Sequence, residues 1–227
     1  MSQLCDRIQA VQDRLQAAAR RFGRPTEDVQ LLAVSKTRPA EIVAQAMDCG
    51  LREFGENYAS ELEEKSRALG DRHPAWHFIG PIQSNKTRLI ADTARWAHSV
   101  DRERIARRLS EQRPLGAVPL NVCLQVNISE EDSKSGVALE DLPALAEAVA
   151  PLPGLKLRGL MAIPAPSDDF DEQRRAFARL REAQEDLIRR GFDLDTLSMG
   201  MTDDLEAAVA EGATIVRVGT AIFGARG

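Results

Sequence analysis

The sequence predicts one domain over residues 1–227, folded as an α/β barrel of the (β/α)8, TIM-like type with an extra N-terminal helix. Short β-prone runs alternate with helix-patterned stretches along the chain. This alternation is typical of parallel strands with helices packed outside them. About eight such units fit into fewer than roughly 250 residues, which favours a closed barrel. A doubly wound open sheet is the alternative for the same pattern.

The elements follow one another without a linker-like segment. An amphipathic N-terminal helix is indicated by four apolar residues at helical spacing, Leu4, Ile8, Val11 and Leu15. The predicted strands are Leu31–Ser35, Glu53–Glu56, Ala75–Ile79, Trp96–Val100, Val118–Asn127, Leu157–Ile163, Thr196–Met199 and Thr214–Val218. The helix-patterned stretches are Pro39–Cys49, Tyr58–Ala68, Arg102–Gln112, Leu142–Val149, Asp171–Arg190 and Thr202–Glu211. Another helix should follow the third strand, with Ser84 or Asn85 as its N-cap.

Charge and composition limit the partners of the chain. A formal net charge of −5 argues against nucleic acid and against a membrane surface, since both are polyanionic. No stretch reaches the roughly 18–20 apolar residues of a membrane span, and the N-terminus has no apolar signal region. We therefore expect a cytoplasmic protein, and a monomer. Cys5, Cys49 and Cys123 are scattered and odd in number, which predicts reduced core thiols.

The last two predicted strands end in small and hydroxyl-bearing residues. "SMGMTDD" follows the seventh strand and "VRVGTAIFG" contains the end of the eighth. Small residues let backbone N–H groups approach an anion, and phosphate sites of many barrels lie after these strands. The pattern predicts a phosphate cup formed by Ser198, Gly200, Gly219 and Thr220. The alternative is two tight glycine turns, with Thr202 as a helix cap.

Two cations accompany this predicted cup. Lys36 directly follows the apolar first strand in "LLAVSKTRPAEIV", and Arg217 points to the opposite side of its strand from Val216 and Val218. Taken singly, each is more often a rim lysine or a paired arginine. Together they suit a phosphorylated aldehyde with an aromatic ring nitrogen. The amine takes the aldehyde, the cup takes the phosphate and the guanidinium faces the nitrogen. That ligand is pyridoxal 5'-phosphate (PLP). A barrel enzyme for another phosphorylated metabolite is the rival hypothesis.

The chain resembles the pyridoxal phosphate homeostasis protein family, which shares its fold with the N-terminal domain of alanine racemases. The resemblance covers the chain from the opening helix to the C-terminus. It rests on "AVSKTRP", "FGENYASE", "WHFIGPIQSNKTR", "QVNISEEDSKSG", "GLMAIP", "LSMGMTDD" and "VRVGTAIFGAR".

The resemblance implies a role for each candidate site residue. The family's internal aldimine falls on Lys36, Asn57 lies beside the cofactor and Met161 lies near its ring. The remaining family contacts fall on Ser198, Gly200, Gly219 and Thr220 for the phosphate and on Arg217 for the pyridine nitrogen. Thr202 stands where a serine is common in the family, so a hydroxyl is kept.

The expected function is binding without catalysis. The resemblance implies intracellular homeostasis of the vitamin B6 cofactor, with PLP held as a lysine aldimine and supplied to apo-enzymes, and no established turnover. Arg217 supports this, because an arginine cannot lose its proton and disfavours a protonated pyridine, the stronger electron sink. The sequence ends at Gly227, so we expect no second domain to bring a catalytic tyrosine, and we assign no catalytic residue. A racemase-like PLP enzyme is the alternative.

The three histidines are assigned ordinary structural roles. His73 and His77 are four residues apart, but Pro74 and the strand pattern prevent a shared helical face. His98 stands alone, so no metal site is predicted.

Lys134, on the loop after the fifth strand, is a candidate for releasing the cofactor by transimination, and an ordinary solvated lysine is its alternative.

Overall fold

The computed structural model describes residues 2–129 and 135–225 of the chain. Eight parallel strands form a closed barrel in chain order, with β8 paired to β1. The predicted barrel is therefore confirmed, and the open sheet is wrong. The strands are β1 Gln30–Val34, β2 Glu53–Glu56, β3 Ala75–Phe78, β4 Trp96–Val100, β5 Leu120–Gln125, β6 Leu155–Met161, β7 Thr196–Ser198 and β8 Ile215–Val218.

Helices cover the outside of the barrel. The described residues form α1 Gln3–Arg21, α2 Ala40–Asp48, α3 Ala59–Ala68, α4 Thr87–Thr93, α5 Glu103–Glu111, α6 Leu142–Val149, α7 Phe170–Arg189, α8 Leu205–Ala210 and α9 Thr220–Phe223. None of the helices within these residues is long and apolar enough to cross a bilayer. The predicted elements are confirmed to within a few residues.

Two boundaries differ from the prediction for local reasons. α8 begins at Leu205 rather than at Thr202, because residues 200–204 form a turn. In that turn Gly200 has a left-handed φ of 93°, and the Asp204 carboxylate accepts a hydrogen bond from the Met201 N–H. The predicted caps Ser84 and Asn85 lie in a short 3-10 helix, and no side-chain hydrogen bond caps the start of α4.

Side chains alternate between two cores, because successive residues of a strand point to opposite faces. The larger core lies between the strands and the helices and includes Phe54, Leu62 and Leu109. A separate small cluster fills the inside of the barrel with Leu32, Trp96, Cys123, Met161 and Ile215. Arg217 is in register with Leu32 of the neighbouring strand, so its side chain also faces inward. This confirms the direction predicted for Arg217.

The N-terminal helix packs across the C-terminal part of the chain. The apolar face predicted for it is buried, and α1 contacts α2, α8 and α9. Arg7 donates a hydrogen bond to the Ile222 carbonyl oxygen at 2.7 Å. Arg14 binds both carboxylate oxygens of Glu206 at 2.6 Å. The extra helix is therefore fixed to elements that lie almost at the other end of the sequence.

The prediction of reduced cysteines is wrong for two of the three. Cys5 of α1 and Cys49, which follows α2, form a disulfide with a Cα–Cα distance of 5.2 Å. The pairing depends on how α1 packs against α2, which the spacing of 44 residues does not reveal. Cys123 is a free, buried thiol inside the barrel.

Candidate functional site

A cavity of about 330 Å³ opens at the carboxyl ends of the strands. This volume lies within the usual range for small-molecule sites. Both polar and apolar groups surround it. Its lining residues are Val34, Lys36, Asn57, Ile79, Ile163, Met201, Thr202, Asp203, Arg217, Gly219 and Thr220.

The structure brings together five of the eight predicted site residues. Lys36, Asn57, Arg217, Gly219 and Thr220 all line the cavity. Strand geometry explains the grouping, since the carboxyl ends of all eight parallel strands meet at one rim.

The other three predicted residues lie beneath or behind the cavity wall. Met161 is fully buried in the cluster inside the barrel. Gly200 forms the turn before α8, and a Cβ at this position would lie 2.5 Å from the Cβ of Ala208. Ser198 is fully buried, and its hydroxyl is hydrogen-bonded to His98 and to Arg217. Contact of these three residues with a cofactor stays a prediction.

The residues on either side of Lys36 are held from outside the barrel. Lys65, a buried residue of α3, donates hydrogen bonds to the Ser35 carbonyl oxygen at 2.8 Å and to Glu56 at 2.7 Å. It also contacts Glu61 at 2.9 Å. The Ser35 hydroxyl donates to the same oxygen of Glu56 at 2.6 Å. We call Glu56, Glu61 and Lys65 the anchor cluster.

The anchor cluster also fixes the residue after Lys36. Thr37 has a left-handed φ of 62°, which β-branched residues rarely adopt. Its backbone N–H donates a hydrogen bond to the Glu61 carboxylate at 2.7 Å. The backbone is thus bound at both neighbours of Lys36. This leaves little freedom in where the lysine side chain starts, which suits a residue that must meet a ligand at a fixed point.

The anchor cluster carries two carboxylates and one ammonium. Burial raises the pKa of Glu56 to about 7, although Lys65 and the Ser35 hydroxyl act in the opposite direction. The second carboxylate oxygen of Glu56 is buried without a hydrogen-bond partner among the described residues. Burial therefore favours the neutral form of Glu56. The ammonium group of Lys65 stabilises the ionised form of Glu56.

Arg217 places a buried positive charge at the floor of the cavity. Its guanidinium donates hydrogen bonds to the Ser198 carbonyl oxygen at 2.6 Å and to the Ala162 carbonyl oxygen at 2.9 Å. Burial lowers the pKa of Arg217 to about 10, so the group stays charged at neutral pH. A charged donor at this position suits an acceptor nitrogen or an anionic oxygen of a ligand.

Asn57 contributes a polar atom that lacks a protein partner. Its side-chain carbonyl oxygen is buried and makes no hydrogen bond among the described residues. An unsatisfied buried acceptor is costly, and it is often matched by a bound group. Asn57 lines the cavity, so this oxygen can accept a hydrogen bond from a donor group of a ligand.

Several residues that line the cavity were not predicted as site residues. Thr202 and Asp203 line the cavity because the turn before α8 faces it, whereas a helix starting at Thr202 was expected. Ile79, Ile163 and Met201 supply the apolar wall. The alternation of the third strand could have indicated Ile79, since it lies two residues after His77. The motif "SMGMTDD" indicated the turn through Gly200 and the hydroxyl of Thr202, but it gave no indication of Met201 or Asp203.

Comparison with known proteins identifies the family. The sequence model described as "Alanine racemase, N-terminal domain" matches residues 7–227. A protein named pyridoxal phosphate homeostasis protein from Pseudomonas aeruginosa is 62% identical over 226 residues, covering 100% of this chain and 97% of that protein. The protein of the same name from Escherichia coli K12 is 52% identical, covering 100% of this chain and 98% of that one.

This chain belongs to the pyridoxal phosphate homeostasis protein family. A solved structure of PipY from Synechococcus elongatus, described as having PLP bound, has a TM-score of 0.84 to the chain. The two sequences are 35% identical, and the match covers 98% of this chain and 100% of that one. The resemblance stated from the sequence motifs is confirmed.

Proposed function

We propose that this protein binds pyridoxal 5'-phosphate through a Schiff base on Lys36 and maintains its intracellular supply. The observation that carries the proposal is the grouping of Lys36, Arg217, Thr220 and Thr202 around one cavity of suitable size. The structure described with PLP bound, at 35% identity over nearly the whole chain, supports the same ligand.

The residues present fit the chemical groups of PLP. An amine suits its aldehyde, and hydroxyl and backbone donors at Thr202, Gly219 and Thr220 suit a phosphate that carries about two negative charges. The donor-only guanidinium of Arg217 suits an unprotonated pyridine nitrogen. The orphaned acceptor of Asn57 suits a hydroxyl group on the ring. In the binding step, the neutral Nζ of Lys36 adds to the aldehyde carbon, and the C=N bond forms as one water leaves.

The same geometry favours binding over turnover. A pyridine facing an arginine stays unprotonated, so it is a weaker electron sink than a pyridinium. Tyr58, the single tyrosine of the chain, is 53% exposed at the start of α3 and is not among the residues lining the cavity. We propose that the bound cofactor is handed to PLP-dependent apo-enzymes. Racemization assays with loaded protein test the alternative, and amino-acid racemization at an enzymatic rate would contradict this part of the proposal.

We predict that purified protein mixed with PLP turns yellow through an imine absorption band. Borohydride should abolish the band, because it reduces the C=N bond and fixes the added mass on Lys36. Peptide mass spectrometry locates that mass. Lys36→Ala should lack the band, whereas the exposed Lys86→Ala should keep it. Protein that stays colourless with added PLP would refute the proposal and favour another phosphorylated metabolite.

We predict that Thr220→Leu weakens PLP retention more than Arg217→Gln. The phosphate receives several charge-assisted hydrogen bonds, each contributing roughly 1.5–3 kcal/mol, and leucine at this rim position blocks them. Equilibrium titration of folded variants gives the comparison. Thr26→Leu, near the opposite end of the barrel, is the matched control. Equal or reversed losses would show that the phosphate lies elsewhere.

The release step and the oligomeric state stay predictions. Lys134 lies outside the described residues, so its proposed role in transimination depends on experiment. Transfer of PLP from loaded protein to an apo-enzyme would be compared between wild type and Lys134→Ala. Slower transfer at unchanged affinity would support the role, and wild-type transfer would exclude it. We also propose a cytoplasmic monomer.

A further inference from the structure

A continuous line of hydrogen-bonded side chains runs through the inside of the barrel and ends at Arg217. The Glu53 carboxylate lies 2.7 Å from Nε2 of His77. Nδ1 of His77 lies 2.9 Å from Nε2 of His98. Nδ1 of His98 lies 2.7 Å from the Ser198 hydroxyl, which lies 2.9 Å from the Arg217 guanidinium. Five strands thus contribute one residue each, from β2 to β8.

The direction of every hydrogen bond in this line follows from its two ends. Arginine can only donate, so the Ser198 hydroxyl oxygen accepts from Arg217 and its proton is left to donate to His98. A neutral His98 that accepts at Nδ1 carries its proton on Nε2 and donates it to His77.

The far end of the line requires the same direction. His77 accepts at Nδ1, so it carries its proton on Nε2 and donates to Glu53. An ionised carboxylate can only accept, so Glu53 closes the line. Both imidazoles are therefore expected as the Nε2–H tautomer.

Burial keeps the two imidazoles neutral. Both His77 and His98 are fully buried, and this burial lowers the pKa of each. The nearby charge of Arg217 lowers the pKa of His98 further. The ring of Trp96 stacks on that of His77, with centroids 5.6 Å apart and planes 8° from parallel. Neutral rings held in fixed orientations can relay polarisation along the line.

The same line of hydrogen bonds helps to stabilise the buried charge of Arg217. Among the ion pairs of the described residues, none joins Arg217 directly to a carboxylate. Asp204 raises its pKa through space without a hydrogen bond. A buried charge needs hydrogen-bonding partners to be stable. The line supplies oriented dipoles that end on Glu53, whose side chain is 26% exposed at the start of β2, at the end of the barrel opposite the cavity.

We propose that Glu53, His77, His98 and Ser198 are positioning residues, which hold the Arg217 guanidinium at the floor of the cavity. They align its charge by a one-way line of donated hydrogen bonds. The effect on the cofactor rests on the proposed function, but the hydrogen-bond direction does not.

The first test measures the tautomers in ligand-free protein by two-dimensional NMR of ¹⁵N-labelled imidazoles. We expect His77 and His98 as Nε2–H tautomers that do not titrate near neutral pH. The exposed His73 provides a reference imidazole signal. An Nδ1–H tautomer or an imidazolium at either buried position would overturn the direction of the line. This result does not depend on whether PLP binds.

The second test breaks the line at its far end. Glu53→Gln keeps an acceptor oxygen for His77, whereas Glu53→Leu removes it. We expect Glu53→Leu to change the His77 imidazole signals and to weaken PLP retention roughly tenfold, the loss of about one hydrogen bond. Glu53→Gln should stay near wild type in both measurements, as should the exposed control Glu64→Leu. If the leucine variant does not fold, His98→Asn against His98→Leu makes the same comparison.

The two possible failures are distinguishable. Wild-type protein that binds no PLP would refute the proposed function and leave the tautomer result to decide the line. Equal retention by Glu53→Gln and Glu53→Leu, in protein that binds PLP normally, would refute the positioning role alone.

Discussion

Replacing Lys65 by methionine should lower the free energy of unfolding by about 3–5 kcal/mol at pH 8, the usual cost of removing one partner of a buried ion pair. Lys65 and Glu56 are almost completely buried, with side-chain exposures of 4% and 0%. Methionine fits the space but leaves the Glu56 carboxylate without its cation. Chemical denaturation at fixed pH measures the loss, and Lys86→Met, at an exposed lysine, is the control.

The penalty should shrink on acidification. The pKa of Glu56 is about 7 in the folded protein and 4.5 as its ordinary value. The folded state binds this proton more tightly, so its contribution to stability falls as pH rises from about 4.5 to 7. Without Lys65 the pKa of Glu56 rises further. At pH 5 Glu56 is neutral in both proteins, and we expect less than half of the penalty measured at pH 8.

A double variant isolates the cause. Glu56→Gln combined with Lys65→Met removes both charges of the buried pair and leaves only the carboxylate of Glu61, which is 25% exposed. It should recover most of the lost stability at pH 8. A penalty that is the same at pH 5 and pH 8, or that persists in the double variant, would show that packing rather than charge makes Lys65 important. Lys65→Met should also load PLP more slowly, because the residues beside Lys36 lose their anchor.

Replacing Gly80 by alanine should destabilise the barrel by about 1–3 kcal/mol or more and also disturb the cavity. A Cβ on Gly80 would overlap the backbone carbonyl oxygen of Asn57 and lie 2.7 Å from its Cα. The obstructing atoms are backbone, so a side-chain rotation cannot relieve the clash. The Asn57 backbone must move, and its side chain moves out of the cavity wall.

Denaturation and PLP titration together test this effect. Gly70→Ala is the matched control, since a Cβ there meets nothing within 4 Å and the residue has no left-handed φ. We expect the control to match wild type in both assays. Unchanged stability of Gly80→Ala would contradict the close approach of the ends of β2 and β3.

The fold and about half of the candidate site could be predicted from the sequence, because both depend on local patterns along the chain. Alternating strands and helices predict a barrel, and the barrel brings residues at strand ends to one rim. Lys36 and Arg217 were identified by this rule, Arg217 also by the alternation of its strand. The same rule placed Ser198 at the correct strand end and in the phosphate cup. In the structure its hydroxyl is hydrogen-bonded to Arg217 and His98.

The missed features depend on contacts between distant residues. Lys65 resembles a solvated lysine on a polar helix face, and only the packing of α3 on β2 shows that it is buried. Cys5 and Cys49 pair because two helices pack together. His77 and His98 were considered as metal ligands and set aside. A period-two reading of β3 and β4 inside a closed barrel would have placed both rings in its interior.

The contacts of α1 determine when this helix can complete its packing during synthesis of the chain. Its arginines bind partners that lie 188 to 215 residues further along the chain, among them the carbonyl oxygens of Thr202 and Ile222. A ribosome adds roughly 5–20 residues per second, so α1 waits on the order of 10–40 seconds for its partners to be made. During that interval α2 is already present to pack against α1, whereas the part of α1 that contacts α8 and α9 has no partner. The packing of α1 is thus completed only after α8 and α9 have been synthesised.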